Sequence, residues 1–134
     1  MKREHKFRAW YGGKMHRVSN YHVLVGMVTI PLMRFPFTQD VIPDAIVEYT
    51  GLKDKNGKEI YEGDIVQWDD RSKGKYWRMA KVIFEYGIYG FEIIKCINCQ
   101  LEPGYKFIGN FAYQKQTDSE LEIIGNIYEN PKLL

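Results

Sequence analysis

The stretch from Thr50 to Val66 constrains the fold more than any other part of the chain. Gly51 ends a short apolar run, and Asp54-Lys55-Asn56-Gly57 is a turn signature, because Asp bonds the backbone ahead of it while Asn and Gly tolerate the left-handed region. A second tight turn, Glu62-Gly63-Asp64, leads into Ile65-Val66-Gln67-Trp68, whose residues suit a β-strand. The stretch therefore predicts two glycine turns that lead into a strand.

The same stretch has a second interpretation as a calcium site. It offers oxygen ligands at Asp54, Asn56, Glu59, Glu62 and Asp64. A calcium hand needs Gly at its sixth position and a Glu at its twelfth, whereas Gly57 is fourth when Asp54 is counted as first. Three lysines also lie among these oxygens, so we expect a structural double turn and no metal.

The rest of the chain predicts a mainly β fold. Ten Tyr, seven Phe and three Trp favour strands over helices. Residues 5–11 alternate, Gly12-Gly13 is a hairpin turn signal, and residues 14–18 return, which predicts an N-terminal β-hairpin. Residues 21–30 are expected to form one extended strand with a bulge or a close backbone approach at Gly26. Residues 31–44 contain three prolines and are expected to form an irregular connection.

Later segments predict more short strands joined by turns. The predicted strands cover residues 45–49, 65–68, 76–86, 91–97, 107–111 and 123–127, and Asn130-Pro131 begins a single helical turn. This spacing favours a small SH3-like barrel or a β-sandwich with little helix. We assign residues 1–44 to the hairpin and extended strand and residues 45–134 to the barrel or sandwich, together forming one compact unit.

The positive charge lies mostly at the N-terminus. The chain carries a net charge of +2, but six cations against one acid give residues 1–20 a charge of +5. The alternation places Lys6, Arg8 and Trp10 on one face of the hairpin, where Lys14 and Arg17 join them. Phosphates need cations and unpaired bases stack on aromatic faces, so these five residues form a candidate nucleic-acid or partner-binding surface. A solvated edge hairpin with Trp10 in the core is the alternative.

Two further motifs have plainer explanations. Residues 71–78 form a second basic aromatic run, which we interpret as a solvated turn because Asp69 and Asp70 precede it. Cys96 and Cys99 have metal-like spacing, but structural zinc normally needs four ligands and no second pair is visible. A redox pair has equally little support, since that motif normally opens a helix within a thioredoxin-like α/β pattern. Nothing resembles a secretory signal, and no apolar run reaches the roughly 20 residues that span a bilayer. We therefore expect reduced, free thiols in a cytoplasmic protein that does not associate with membranes.

Three stretches resemble the signature of the YopX family. They are the central run from Thr50 to Val66, Lys6-Phe7-Arg8-Ala9-Trp10 with Met15, and Ile123-Ile124-Gly125-Asn126-Ile127-Tyr128-Glu129-Asn130-Pro131 with the final two leucines. The resemblance implies an accessory protein encoded by a phage or prophage, acting in the host bacterial cytoplasm, in an oligomer. It implies no activity and therefore supplies no catalytic residue.

The residues predict a binding protein rather than an enzyme. No nucleophile elbow, phosphate loop or dinucleotide fingerprint is present, so we predict no catalytic residue and no cofactor. The favoured function is an interaction or assembly module that forms a homo-oligomer or binds a host or phage protein. A nucleic-acid-binding accessory protein is the second hypothesis. A metal-dependent enzyme built on Glu62 and Asp64 is the third.

Overall fold

The computed structural model describes residues 5–32, 37–70, 76–108 and 121–134 and shows a mainly β protein. Its twelve strands are β1 (Phe7–Tyr11), β2 (Lys14–Arg17), β3 (Asn20–His22), β4 (Met27–Pro31), β5 (Thr38–Val41), β6 (Ala45–Lys53), β7 (Glu59–Tyr61), β8 (Asp64–Asp70), β9 (Tyr76–Glu85), β10 (Ile88–Ile97), β11 (Lys106–Ile108) and β12 (Glu122–Asn126). The sheets are antiparallel and one curls into a half-barrel, so the predicted fold class is confirmed. Across these ranges, no helix is long and apolar enough to cross a membrane.

The chain divides into two units, residues 1–49 and residues 50–134. Their boundary falls within β6, between Tyr49 and Thr50. The division that we predicted after residue 44 corresponds to the beginning of this strand.

The first unit is built around the N-terminal hairpin. β1 pairs with β2 on one side and with β6 on the other, as the alternating sequence predicts. Gly12 and Gly13 form its turn with φ of 60° and 75°, values that glycine adopts at little steric cost. β3, β4 and β5 form a separate three-stranded sheet. The buried core of this unit consists of Ala9, Val28, Ile30 and Val41.

Two predictions for residues 21–44 are wrong. The expected single strand over residues 21–30 is a hairpin, because the chain reverses where the Val25 amide donates to the His22 carbonyl over 3.2 Å. Gly26 supports the reversal with φ of 64° rather than forming a bulge. The expected irregular connection contains β5, which fits between Pro36 and Pro43 and pairs with β4.

The second unit is dominated by a five-stranded sheet in the order β11-β10-β9-β8-β12. Its buried core lies mainly on one face of this sheet and consists of Ile60, Val66, Trp68, Ala80, Val82, Tyr89, Phe91, Ile93 and Leu121. Tyr86 and Gly87 alone form the β9–β10 turn, so β10 begins at Ile88, three residues before the strand predicted over residues 91–97. Part of the predicted strand over residues 107–111 lies outside the described residues.

Side-chain hydrogen bonds stabilise the turn at residues 126–130 in the C-terminal motif. The Asn126 side chain accepts hydrogen bonds from the amides of Tyr128 and Glu129 at 3.0 and 2.8 Å, and the Asn130 side chain accepts one from the Asn126 amide at 3.2 Å. A Cβ at Gly125 would lie 2.8 Å from Cγ of Asn130, closer than real Cβ contacts allow. Gly125 and its two neighbouring asparagines therefore form one structural unit. The predicted helical turn follows as a 3-10 turn at Pro131–Leu133.

Candidate binding surfaces

The structure brings four of the five predicted site residues onto one face of the N-terminal hairpin. Arg8 lies opposite Arg17, and Trp10 lies opposite Met15. Directly opposed residues of an antiparallel pair point to the same side, so Arg8, Trp10 and Arg17 share a face, which the strand alternation extends to Lys6. Lys14 is paired with Tyr11 and therefore belongs to the other face, which contains the buried Ala9.

Only part of this basic face is open to solvent. Arg17 is exposed, whereas Lys6, Arg8 and Trp10 are half-buried. Lys6 Nζ lies 5.6 Å from the ring centroid of Tyr49, a cation–π contact with a buried tyrosine of β6. The accessible part of the basic face therefore lies along β2, with Arg17 as its most exposed cation.

The central carboxylates are engaged by backbone amides. Asp54 is buried, and its Oδ1 accepts hydrogen bonds from the amides of Asn56 at 2.8 Å and Lys58 at 2.9 Å. Its Oδ2 accepts one from the amide of Ile123 in β12 at 3.0 Å. The buried Asp64 accepts a hydrogen bond from the Tyr61 amide at 2.8 Å. These contacts give both aspartates a structural role, as the double-turn interpretation predicts.

An ion pair joins the central loop to β12 at its surface. Lys55 Nζ lies 3.2 Å from Oε2 of Glu122. This bond, assisted by the side-chain amide of Gln67, lowers the pKa of the Glu122 carboxyl below its usual value. Within the described ranges, no three His, Cys, Asp or Glu side chains are grouped so that they could hold a metal ion.

Sequence reasoning missed an exposed apolar surface in the first unit. Val23, Leu24 and Val25 occupy the β3–β4 turn and are 71%, 101% and 63% exposed. Ile42, 68% exposed, follows Val41, which pairs with Val28, so it lies at the same end of the three-stranded sheet. We call these four residues the apolar tip. Its signal in the sequence is three consecutive apolar residues directly before a glycine that could have been assigned to a turn.

A second exposed group lies at the turn between β9 and β10. Tyr86 is 89% exposed and adopts a φ of 54°, a left-handed conformation that is rare for a bulky side chain. Phe84 and Ile88 beside it are also exposed, and the Phe84 ring packs on that of Tyr89 with centroids 4.7 Å apart. The exposed tyrosine thus lies in the two-residue turn that joins β9 and β10.

The prediction of free thiols is wrong in this structure, which joins Cys96 and Cys99 in a disulfide. Cys96 lies near the end of β10, and Asn98 adopts a φ of 59°, which turns the chain back on itself. The two Cα atoms are consequently 6.0 Å apart, a usual separation for a disulfide.

The second basic run, residues 71–78, lies partly outside the described residues, which begin again at Tyr76.

Comparisons with known proteins agree with the observed architecture. The family model described as "YopX protein" matches residues 6–134. The crystal structure of protein EF1440 from Enterococcus faecalis is similar to this chain over 99% of both chains, with 27% sequence identity and a TM-score of 0.59. A comparison with curated proteins finds no match.

Proposed function

Because the chain belongs to the YopX family, whose signature it carries from residue 6 to residue 134, we propose that it is a non-catalytic interaction and assembly module. The observation that carries the proposal is the apolar tip, where four exposed aliphatic side chains lie at one end of a small sheet. Single exposed apolar residues are ordinary on protein surfaces, whereas contiguous ones mark contact sites. We propose a second copy of the chain as the partner, acting in the bacterial cytoplasm as an accessory protein of phage or prophage origin.

Two structural features support binding over catalysis. Asp64, one of the two carboxylates of the metal-dependent enzyme hypothesis, is buried and accepts a backbone hydrogen bond, as does Asp54 in the same loop. The three-stranded sheet also has two outer strands, β3 and β5, whose edges suit pairing with another chain. Assembly through this end of the first unit would cover both the aliphatic side chains and a strand edge.

Light scattering after size exclusion tests the assembly proposal. The wild-type protein is expected to be larger than a monomer at about 10 μM, and Leu24→Asp to shift it toward the monomer by placing a charge in the contact. Ile88→Asp is the matched control, because Ile88 is an exposed aliphatic residue of the other unit. A wild-type monomer at this concentration, or equal dissociation by both variants, contradicts the proposal.

A second candidate function is nucleic-acid binding by the basic face. The favouring observation is the register that places Arg8 directly opposite Arg17, which sets two cations side by side on the face that also contains Trp10. Trp10 on the same face could stack with an unpaired base. This candidate needs no catalytic group and is compatible with the accessory role.

Fluorescence anisotropy with labelled single and double strands at low salt tests this candidate. Arg17→Ala is expected to weaken binding and reduce the slope of log affinity against log salt by about 1. Lys14→Ala is the matched control, because Lys14 is an exposed cation of the same hairpin on its other face. The candidate is refuted by no binding below about 100 μM or by binding that salt does not weaken.

A further inference from the structure

The disulfide between Cys96 and Cys99 spans only three positions of sequence and closes a very small ring. The entropy that a disulfide removes from the unfolded chain grows with the size of the ring it closes, so this bond contributes little to the stability of the fold. β10 also pairs with β9 along nearly its whole length, including at Cys96 and Ile97. The fold can therefore accommodate both the oxidised and the reduced state.

The two sulfur positions differ in their surroundings. Both cysteines are half-buried, but Cys96 lies in β10 and packs against the core of the second unit, whereas Cys99 lies in the bend that follows the strand. Asn98 and Gln100, on either side of Cys99, are exposed. A thiolate arriving from solvent therefore reaches the Cys99 sulfur more readily than the Cys96 sulfur.

The register of the sheet places a cation beside the more protected cysteine. Cys96 lies directly opposite Arg78 on β9, and Arg78 in turn lies opposite Trp68 on β8. Opposed residues have Cβ atoms about 5 Å apart and point to the same face. A cationic residue opposite Cys96 on the same face favours its thiolate, so Cys96 is the better leaving group when the bond is cleaved.

From these three observations we infer that Cys96 and Cys99 form a reversible thiol–disulfide pair that exchanges with dithiol reductants and controls the order of the bend at residues 98–100. A reductant thiolate attacks the Cys99 sulfur, and Cys96 leaves as a thiolate with the electron pair. The second thiol of the reductant then displaces Cys99 from the mixed disulfide. Two electrons and two protons pass to the chain, giving two thiols, and the dithiol becomes a disulfide.

Reduction removes the covalent tie across the bend and leaves the elements around it in place. On the far side of the bend, Leu101 packs against the core, and the Gly104 amide donates to the Ile93 carbonyl over 2.7 Å. Residues 98–100 are the segment between these anchors and β10. The switch is therefore local, and the sheet persists in both states.

The test uses the full chain equilibrated without denaturant in mixtures of reduced and oxidised dithiothreitol. Iodoacetamide trapping and mass spectrometry count the free thiols. We expect complete, reversible conversion between zero and two thiols, and amide hydrogens of residues 98–100 that exchange at least about tenfold faster in the reduced form. Residues 82–90 are the internal control and should exchange equally in both forms. Thiols that stay free in every mixture, reduction that needs denaturant, or identical exchange in both forms overturns the inference.

A variant series tests the part played by Arg78. Arg78→Met is expected to slow reduction by dithiothreitol by a factor of about three to ten, whereas Arg78→Lys keeps the charge and most of the rate. Lys95→Met is the matched control, because this neighbouring exposed cation points to the other face of β10. Equal slowing by Arg78→Met and Lys95→Met contradicts a specific role. If Arg78→Met does not fold, the comparison of Arg78→Lys and Lys95→Met with the wild type decides the matter.

Discussion

Replacing Asp54 by Ala is expected to destabilise the second unit strongly, although the residue lies in a surface loop. The carboxylate accepts three backbone amides, from Asn56, Lys58 and Ile123, at 2.8, 2.9 and 3.0 Å. Asn56 and Lys58 are exposed, so water can replace two of these bonds at about 0.5–1 kcal/mol each. The half-buried Ile123 amide loses its acceptor at about 1–3 kcal/mol. The expected loss is therefore about 2–5 kcal/mol in the free energy of unfolding.

Urea denaturation followed by tryptophan fluorescence measures this loss. Asn56→Ala is the matched control, because its exposed side chain lies in the same turn, and its effect should stay within about 0.5 kcal/mol. Asp54→Asn should be intermediate, since it keeps one acceptor oxygen but turns an N–H₂ group toward one of the amides. A loss below about 1 kcal/mol for Asp54→Ala would refute the structural role. So would a rise in the wild-type midpoint on addition of calcium, since it would show that the loop is a metal site.

Three further predictions follow from the turns and from the surface ion pair. Tyr86→Asn should stabilise the protein by up to about 1 kcal/mol, because Asn tolerates the left-handed conformation; no gain in the urea midpoint relative to Tyr86→Phe would contradict this. Gly125→Ala should lower the free energy of unfolding by about 2–3 kcal/mol, because the added Cβ clashes with the side chain of Asn130. In thermal melts, the double variant with Asn130→Ala should lose less stability than the sum of the two single changes. The lowered pKa of Glu122 means that its pairing with Lys55 stabilises the fold above the carboxyl's unfolded pKa, and this stabilisation is lost as pH falls through the folded value. Glu122→Gln should therefore flatten the fall in stability below about pH 5, measured by urea denaturation across the acid range, and a fall as steep as that of the wild type would contradict this.

The strands with clear alternation and glycine turns could be predicted from the sequence. The β1–β2 hairpin follows from its period of two and from Gly12-Gly13, because both signals are local. The hairpin at residues 21–30 was missed because its turn consists of the apolar residues Val23, Leu24 and Val25, which read as strand. Turn residues are recognised by composition, and this turn is specified instead by a backbone hydrogen bond and by φ at Gly26.

The candidate surfaces could be predicted only in part, because strand register and tertiary contacts are not visible in local sequence patterns. Alternation correctly grouped Arg8 with Trp10, but Lys14 could be assigned to a face only once its partner Tyr11 was known, because register depends on the length of the turn. The roles of the central carboxylates also needed tertiary information. The amide of Ile123 reaches Asp54 across 69 positions of sequence, and no local pattern reports such a bond.

That same long-range bond has a consequence for the order in which the chain folds during synthesis. A ribosome synthesises Asp54 well before it synthesises β12. Until β12 is made, the Asp54 carboxylate lacks one of its three amide donors. The Lys55 amide likewise lacks its acceptor, the Leu121 carbonyl, to which it donates over 2.8 Å in the folded protein. The second unit therefore closes only after β12 has left the exit tunnel, and nascent chains arrested before residue 121 should remain sensitive to protease at residues 54–58.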